Sequence, residues 1–292
     1  MSLMQEFDIR SWAPVCDEGV ADVAIQRLEH GHIIVFRHLT FELTEAERRF
    51  LSPIWADARS KNINLDSRKD VLNGARGSEE NLNELHRMIK RFAAQAMNLV
   101  QSFLPRYAPS LTPGRTSFRP VQVEERSSSY KKDDRRLHVD AFPSRPNHGE
   151  RILRVFTNVH PHGLPRLWKT GEPFEDMARR FLPLISRPMS GSAWLLNALG
   201  ITKGKRSLYD HVMLQLHNHV KRDVAYQRQA PQWEVVFPAQ STWLVFSDQV
   251  LHAAVRGQFL FEQTFHVPLD ALADPQTAPL RVLERLMARP LI

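Results

Sequence analysis

The chain has 292 residues, of which 42% are hydrophobic, and a formal net charge of +7. That length and apolar content exclude wholesale disorder and suffice for one large packed domain. A single cysteine, Cys16, excludes a disulfide framework and a thiolate metal cluster, and the excess of cations favours anionic partners.

Residues 18–30 predict a helix, with Gly31 at the natural position just past its end. Residues 32–38 then read as a buried strand. Thr44 and Glu47 have capping-box spacing ahead of Phe50 and Leu51, which starts a second helix. Leu82, Leu85, Ile89, Phe92, Ala96, Leu99 and Phe103 advance by alternating steps of three and four. That is the apolar stripe of a long helix, which Pro105 ends.

From about residue 117 the pattern turns to strands, over 117–124, 151–160, 233–237, 242–246 and 257–267. Helices are expected near 173–183 and 205–221, and a last one over 276–288. The first third (1–116) is mostly helical, 117–268 is a strand-rich core and 269–292 closes the chain. No linker or internal repeat divides it, so one domain is expected, an antiparallel sheet or sandwich with helices outside. The first residues lack the basic and apolar regions of a secretory signal. No apolar run approaches the roughly 20 residues of a membrane span. A cytoplasmic protein is the expectation.

The stretch with most chemical content is Arg135-Arg136-Leu137-His138-Val139-Asp140. In an extended segment alternate side chains share a face, so His138 and Asp140 point the same way. An imidazole and a carboxylate on one face are two-thirds of the facial triad of non-haem Fe(II) oxygenases, which leaves metal positions open for a cosubstrate and O2. His252 is the candidate third ligand, where an apolar strand over 242–246 feeds a short turn and then the His. The other histidines read as structural. His217 and His219 lie two apart in a helical pattern, where side chains do not face each other; His160 and His162 sit at a turn without a carboxylate nearby.

The block from His138 to Pro146 (HVDAFPSRP), followed by 151–161 (RILRVFTNVHP), resembles the bacterial Kdo hydroxylase family, and 257–268 (GQFLFEQTFHVP) is similar to its final core strand. Kdo is 3-deoxy-D-manno-oct-2-ulosonic acid, the inner sugar of Gram-negative lipopolysaccharide. The resemblance implies a double-stranded β-helix, a cupin-like jelly roll. It also implies Fe(II)- and 2-oxoglutarate-dependent hydroxylation of Kdo at carbon 3 on Kdo-lipid A, with O2 consumed and succinate and CO2 released. His138, Asp140 and His252 would be the iron ligands. Many relatives hold 2-oxoglutarate with an arginine about ten residues after the second His, but Glu262 and Gln263 stand there. Arg256 is the first substitute, because its fork suits a carboxylate; Arg154 and Asn158, on one strand face, are the next candidates.

A substrate carrying a carboxylate and phosphates asks for cations at the barrel mouth. Lys131, Lys132, Arg135, Arg136, Arg145 and Arg151 flank the motif, and Lys203, Lys205 and Arg206 form a second group. A lipid-linked substrate implies peripheral contact at the cytoplasmic face of the inner membrane. The amphipathic, basic C-terminal segment suits either a membrane surface or the core. Three other readings stay open: a 2-oxoglutarate-dependent hydroxylase of another small molecule, a non-catalytic cupin-like binding protein, and a zinc hydrolase. Nothing in the sequence marks a nucleic-acid-binding motif, and no nucleic acid partner is expected.

Overall fold

Asp17 caps the first helix, α1 (Glu18–Glu29), by accepting a hydrogen bond from the Gly19 amide, and Gly31 follows at φ +81°. The Thr44–Glu47 capping box forms, but the helix it opens, α2 (Glu45–Arg48), lasts one turn before a 3-10 turn begins at Pro53. Ser78 caps the long helix α3 (Glu79–Phe103), whose buried face includes Leu85, Ile89, Phe92, Ala96, Leu99 and Phe103. Each large apolar side chain buried there contributes about 1.5–3 kcal/mol. This computed structural model describes residues 3–57, 60, 62–124, 129–189 and 191–292.

The strands are β1 (Met4–Glu6), β2 (Ile33–Phe36), β3 (Ile63–Asp66), β4 (Val71–Asn73), β5 (Thr112–Arg119), β6 (Arg151–Asn158), β7 (Arg166–Thr170), β8 (Trp233–Phe237), β9 (Thr242–Phe246), β10 (His252–Arg256) and β11 (Leu260–Val267). They form a large sheet in the order β1-β2-β9-β6-β11-β5-β3-β4 and a small one in the order β10-β7-β8. Only the β1–β2 pair is parallel among the described residues. The remaining helices are α4 (Phe174–Phe181), α5 (Ser192–Ala198), α6 (Leu208–Arg222), α7 (Val224–Gln229) and α8 (Pro279–Met287). The first third of the chain thus supplies α1–α3 and also both edges of the large sheet.

Side-chain alternation divides the apolar residues among three layers. Leu153 and Val155 of β6, Leu244 and Phe246 of β9, and Phe261 and Phe265 of β11 pack against α1 and α3. The opposite parity, Phe156, Trp243, Val245 and Leu260, meets Trp168, Val235, Phe237 and Ala254 of the small sheet. The outer face of the small sheet packs Leu251 and Ala253, with Leu137 and Val139, against α4, α6 and α8. The C-terminal helix α8 is therefore a core element, with Leu280, Val282 and Leu283 buried.

Three expected strands shift. The one expected over 117–124 lies at β5 and ends before Pro120, which has no amide hydrogen for a ladder. The one expected over 257–267 starts only at Leu260, because Gly257 and Phe259 turn the chain at φ +129° and +51°. The run over 151–160 stops at Asn158.

Arg151, expected on a basic surface, is fully buried. Its Nε donates to Asp248 Oδ2 at 2.8 Å and its guanidinium lies 3.9 Å over the Phe246 ring. Removing one partner of such a pair strands the other charge in the core. Asp248→Ala is expected to destabilise the fold by about 3–5 kcal/mol, and Arg151→Met/Asp248→Leu by much less. Urea denaturation of the two variants checks this; equal losses would overturn it.

Candidate active site

Residues 137–140 are extended, and their side chains alternate. Leu137 and Val139 enter the helix-side core, while His138 and Asp140 face the space between the sheets. His138 and His252 are antiparallel bridge partners, with reciprocal N–H···O bonds of 3.0 and 2.9 Å. The Asp140 amide donates to Ser247 O at 2.8 Å. The backbone itself thus fixes three side chains from distant parts of the chain. Their ligand atoms all lie within 4.8 Å of one another, the one such His, Cys, Asp or Glu group among the described residues.

The protonation pattern suits a cation. His138 Nδ1 lies 2.7 Å from Arg136 O, and His252 Nδ1 lies 2.8 Å from Val250 O. A carbonyl only accepts, so Nδ1 carries the proton of each neutral ring and Nε2 keeps its lone pair. Burial holds both imidazoles below the ordinary His value, His138 further down beside Lys221. Burial works to raise the Asp140 carboxyl, but the Arg154 guanidinium, 2.9 Å away, and the two imidazoles outweigh it. They hold Asp140 well below the usual carboxylate range. At neutral pH the triad therefore offers two nitrogen lone pairs and a carboxylate.

Arg154 also donates from Nη1 to Glu262, which accepts Nη2 of Arg119 as well. Arg119 Nη1 reaches Asp134 Oδ2 at 3.3 Å. Glu262, standing where an arginine was looked for, holds one arginine from β5 and one from β6. The triad, Asp134, Arg119 and Arg154 line a pocket of about 120 Å³ between the sheets.

The opposite wall of that pocket is β7, a strand that the sequence pattern does not mark. Arg166 and Trp168 alternate onto the pocket face and are 1% and 2% exposed. The Trp168 ring stacks on His252, with centroids 5.1 Å apart, and its indole N–H is a buried donor without an acceptor. The signal was slight: a five-residue segment after Pro165 with an arginine and a lysine in it.

Two other candidates are elsewhere. Arg256 is exposed and does not line the pocket. Simple alternation would set it with His252 and Ala254. A β-bulge lies between, however: Ala254 pairs with Trp168 and Arg256 with Leu167, so Val255 is the extra residue and the parity is lost. Asn158 is buried, but its amide donates to Leu164 O and Phe237 O and accepts from the His160 amide, so it clamps a turn. His217, read as structural, lies beside the site: its ring centroid is 5.2 Å from that of His138 and its Nδ1 is 2.7 Å from Val139 O. Of the flanking cations, Arg135 and Arg136 line a separate hollow behind the small sheet.

The profile of the 3-deoxy-D-manno-oct-2-ulosonic acid (Kdo) hydroxylase family matches residues 11–290. A search of curated proteins finds no match. Among solved structures, the chain is 47% identical to the Kdo hydroxylase KdoO, a non-heme Fe(II) alphaketoglutarate-dependent dioxygenase. The complex of that protein with alphaketoglutarate and Fe(III) superposes with a TM-score of 0.95, over 99% of this chain and 97% of the other. Its complexes with cobalt(II) and with succinate and Fe(III) give 0.96 and 0.95, each over 100% and 98% of the two chains. With its jelly roll, its buried His-Asp-His group and a profile match over nearly its whole length, the chain belongs to the Kdo hydroxylase family.

Proposed function

We propose that this Kdo hydroxylase, an Fe(II)/2-oxoglutarate-dependent dioxygenase, acts at carbon 3 of Kdo carried on Kdo-lipid A, at the cytoplasmic face of the membrane. We further propose His138, Asp140 and His252 as its iron ligands. The observation that carries the reading is a buried triad, with its lone pairs already arranged, facing a pocket walled by arginines.

The residues present suit both groups. The triad's two nitrogens and one carboxylate are the donor set of a mononuclear Fe(II) site with open positions. Arg166 and the unpartnered indole N–H of Trp168 are donors placed for the acid groups of 2-oxoglutarate. When bound, iron with 2-oxoglutarate and O2 supplies the oxidising power that turns a C–H bond into C–OH, with succinate and CO2 as products. The chain's own part is positional. The His138–His252 bridge sets the spacing of the two rings, and Arg154 keeps Asp140 ionised. Trp168 and Phe156 exclude water from the wall of the pocket.

The surroundings support an anionic glycolipid. Arg119 and Arg154 also line an adjoining groove of about 310 Å³, with Arg115, Phe142, Arg145 and His266. Gly114, Arg145 and His266 continue it into a hollow of about 510 Å³ bordered by Arg68, Lys69 and Lys203. Of the acids along this path, Asp66 and Glu262 are taken up by Arg145 and by the Arg119–Arg154 pair, and Glu150 borders the hollow near His266. The field is felt at His266, whose imidazole is pushed down to about 4 by burial and by Arg154, Arg68 and Arg145. A sugar acid with phosphates further along the same molecule meets cations along this path.

Succinate formation with Fe(II), ascorbate, 2-oxoglutarate and O2 tests the function. It is expected to rise on adding Kdo-lipid A, with one oxygen atom gained in the Kdo. Succinate release indifferent to the lipid rejects the substrate and keeps the chemistry. Replacing His138, Asp140 or His252 by Ala is expected to lower turnover and bound iron by at least about 100-fold, the upper end of the cost of losing a ligand's supporting partner.

Arg166→Gln is expected to raise the KM for 2-oxoglutarate at least about 10-fold, because it removes a buried cation facing the pocket, whereas Arg256→Ala leaves it unchanged. Steady-state kinetics at saturating glycolipid check the pair; the reverse order would restore Arg256 as the anchor. Arg145→Glu is expected to raise the KM for Kdo-lipid A about 5-fold or more at low salt, and less at high salt, where screening weakens the groove's field. A KM independent of salt in both proteins would remove the groove from substrate binding.

A further inference from the structure

A second feature of the molecule lies outside the pocket and groove. Between Asp176 and Asp210 the sequence has no acidic residue, while Arg187, Lys203, Lys205 and Arg206 stand within it. Within the same stretch Leu184, Met189, Trp194, Leu199 and Ile201 are 54–81% exposed. Exposed apolar residues are ordinary when scattered, but five large ones within 18 residues mark a contact surface.

This stretch is a built element. Helix α5 is closed at its C-terminal end by bonds from the Ile201 and Thr202 amides to Leu196 O, with Gly200 at φ +67° making the turn. Thr202 is 3% exposed, so the chain is anchored immediately beyond the apolar side chains it presents. The cations that follow are tied to the groove. The Lys203 amide donates to Ser144 O at 2.9 Å, and the Arg206 guanidinium donates to Pro143 O. Pro143 and Ser144 line the groove, and Lys203 borders the hollow beyond it. Both acceptors are neutral carbonyls. The amphipathic C-terminal helix, the other apolar candidate, is spent on the core.

We infer that Leu184, Met189, Trp194, Leu199 and Ile201, with Arg187, Lys203, Lys205 and Arg206, form a membrane-docking surface whose occupant is an anionic phospholipid bilayer. Large apolar side chains beside a cluster of Lys and Arg, with no acids between, match an interface of acyl chains below and phosphate headgroups above. A protein partner would leave the charge pattern without purpose unless it were itself strongly acidic. No helix among the described residues is long and apolar enough to cross a membrane. The location deepens the glycolipid reading above, since it sets the groove mouth beside the bilayer, yet it stands on the surface alone.

Co-sedimentation of the full chain with vesicles tests it, without any glycolipid present. Wild type is expected to bind vesicles of phosphatidylcholine mixed with phosphatidylglycerol, to bind phosphatidylcholine alone poorly, and to be released by salt. Trp194→Ser/Leu199→Ser is expected to lower partitioning at least about 10-fold, the loss due to two buried apolar side chains. Lys203→Glu/Lys205→Glu is expected to remove the preference for the anionic lipid; circular dichroism verifies that both variants are folded. Wild type that ignores anionic vesicles, or apolar variants that bind as it does, would overturn the assignment. So would a dimer in sedimentation velocity that the Trp194→Ser/Leu199→Ser change converts to monomer, because a second copy would then be the occupant. Since the probe contains no Kdo, failure here leaves the catalytic reading intact, and an inactive enzyme that still binds vesicles leaves this one intact.

Discussion

The reciprocal backbone bonds between His138 and His252 hold a segment of loop against the small sheet, and the geometry of the site depends on them. A side chain on a loop is usually the least accurately held part of a site. Here the loop behaves as a strand for four residues: its apolar parity, Leu137 and Val139, is locked into the helix-side core, and its polar parity is turned toward the pocket. The same carbonyl-rich backbone orients the rings, since Arg136 O and Val250 O each take an Nδ1 proton. Position and tautomer therefore come from main-chain atoms, which mutation of neighbouring side chains changes little.

Charge is the second constraint. Asp134 and Asp140 line the small pocket with Arg119, Arg154 and Arg166, and Glu262 sits behind it, paired with Arg119 and Arg154. Charges buried in this way are tolerable only when balanced and hydrogen-bonded. Three acids against three arginines leave the pocket near neutrality. A divalent cation and a dianionic cosubstrate arriving together preserve that balance, whereas either alone disturbs it. Glu262 is central to this arrangement, because it keeps two arginines from repelling each other while leaving their remaining N–H groups available.

From that pocket the polar character extends outward rather than stopping at the barrel. The groove past Arg119 and Arg154 is cationic along its length, and the loop that walls it, 143–148, is stitched to the apolar segment ending at Arg206. The triad, the cationic groove and the proposed bilayer contact thus adjoin one another in turn. The opposite side, where α1 and α3 cover the large sheet, is a packed apolar layer with a supporting role.

Much of this was legible in the chain. The stripe from Leu82 to Phe103, the capping residues and the alternation around His138 are local patterns, and local periodicity states which side chains share a face. His252 could be read because it follows an apolar strand and its short turn, and the block after His138 carried the family resemblance. What periodicity does not state is which strand lies opposite. Arg166 and Trp168 belong to the pocket only because β7 pairs with β10, and Arg256 is excluded only because that pairing contains a one-residue bulge at Val255. Glu262 looked like a missing arginine, and became the clamp between two others only when β5, β6 and β11 were placed side by side. The sequence by itself determined the segments that carry His138, Asp140 and His252, the long helix and the basic character. The tertiary structure decided which arginines face the pocket, because pairing register over more than a hundred residues is set by long-range hydrogen bonds that no local window contains.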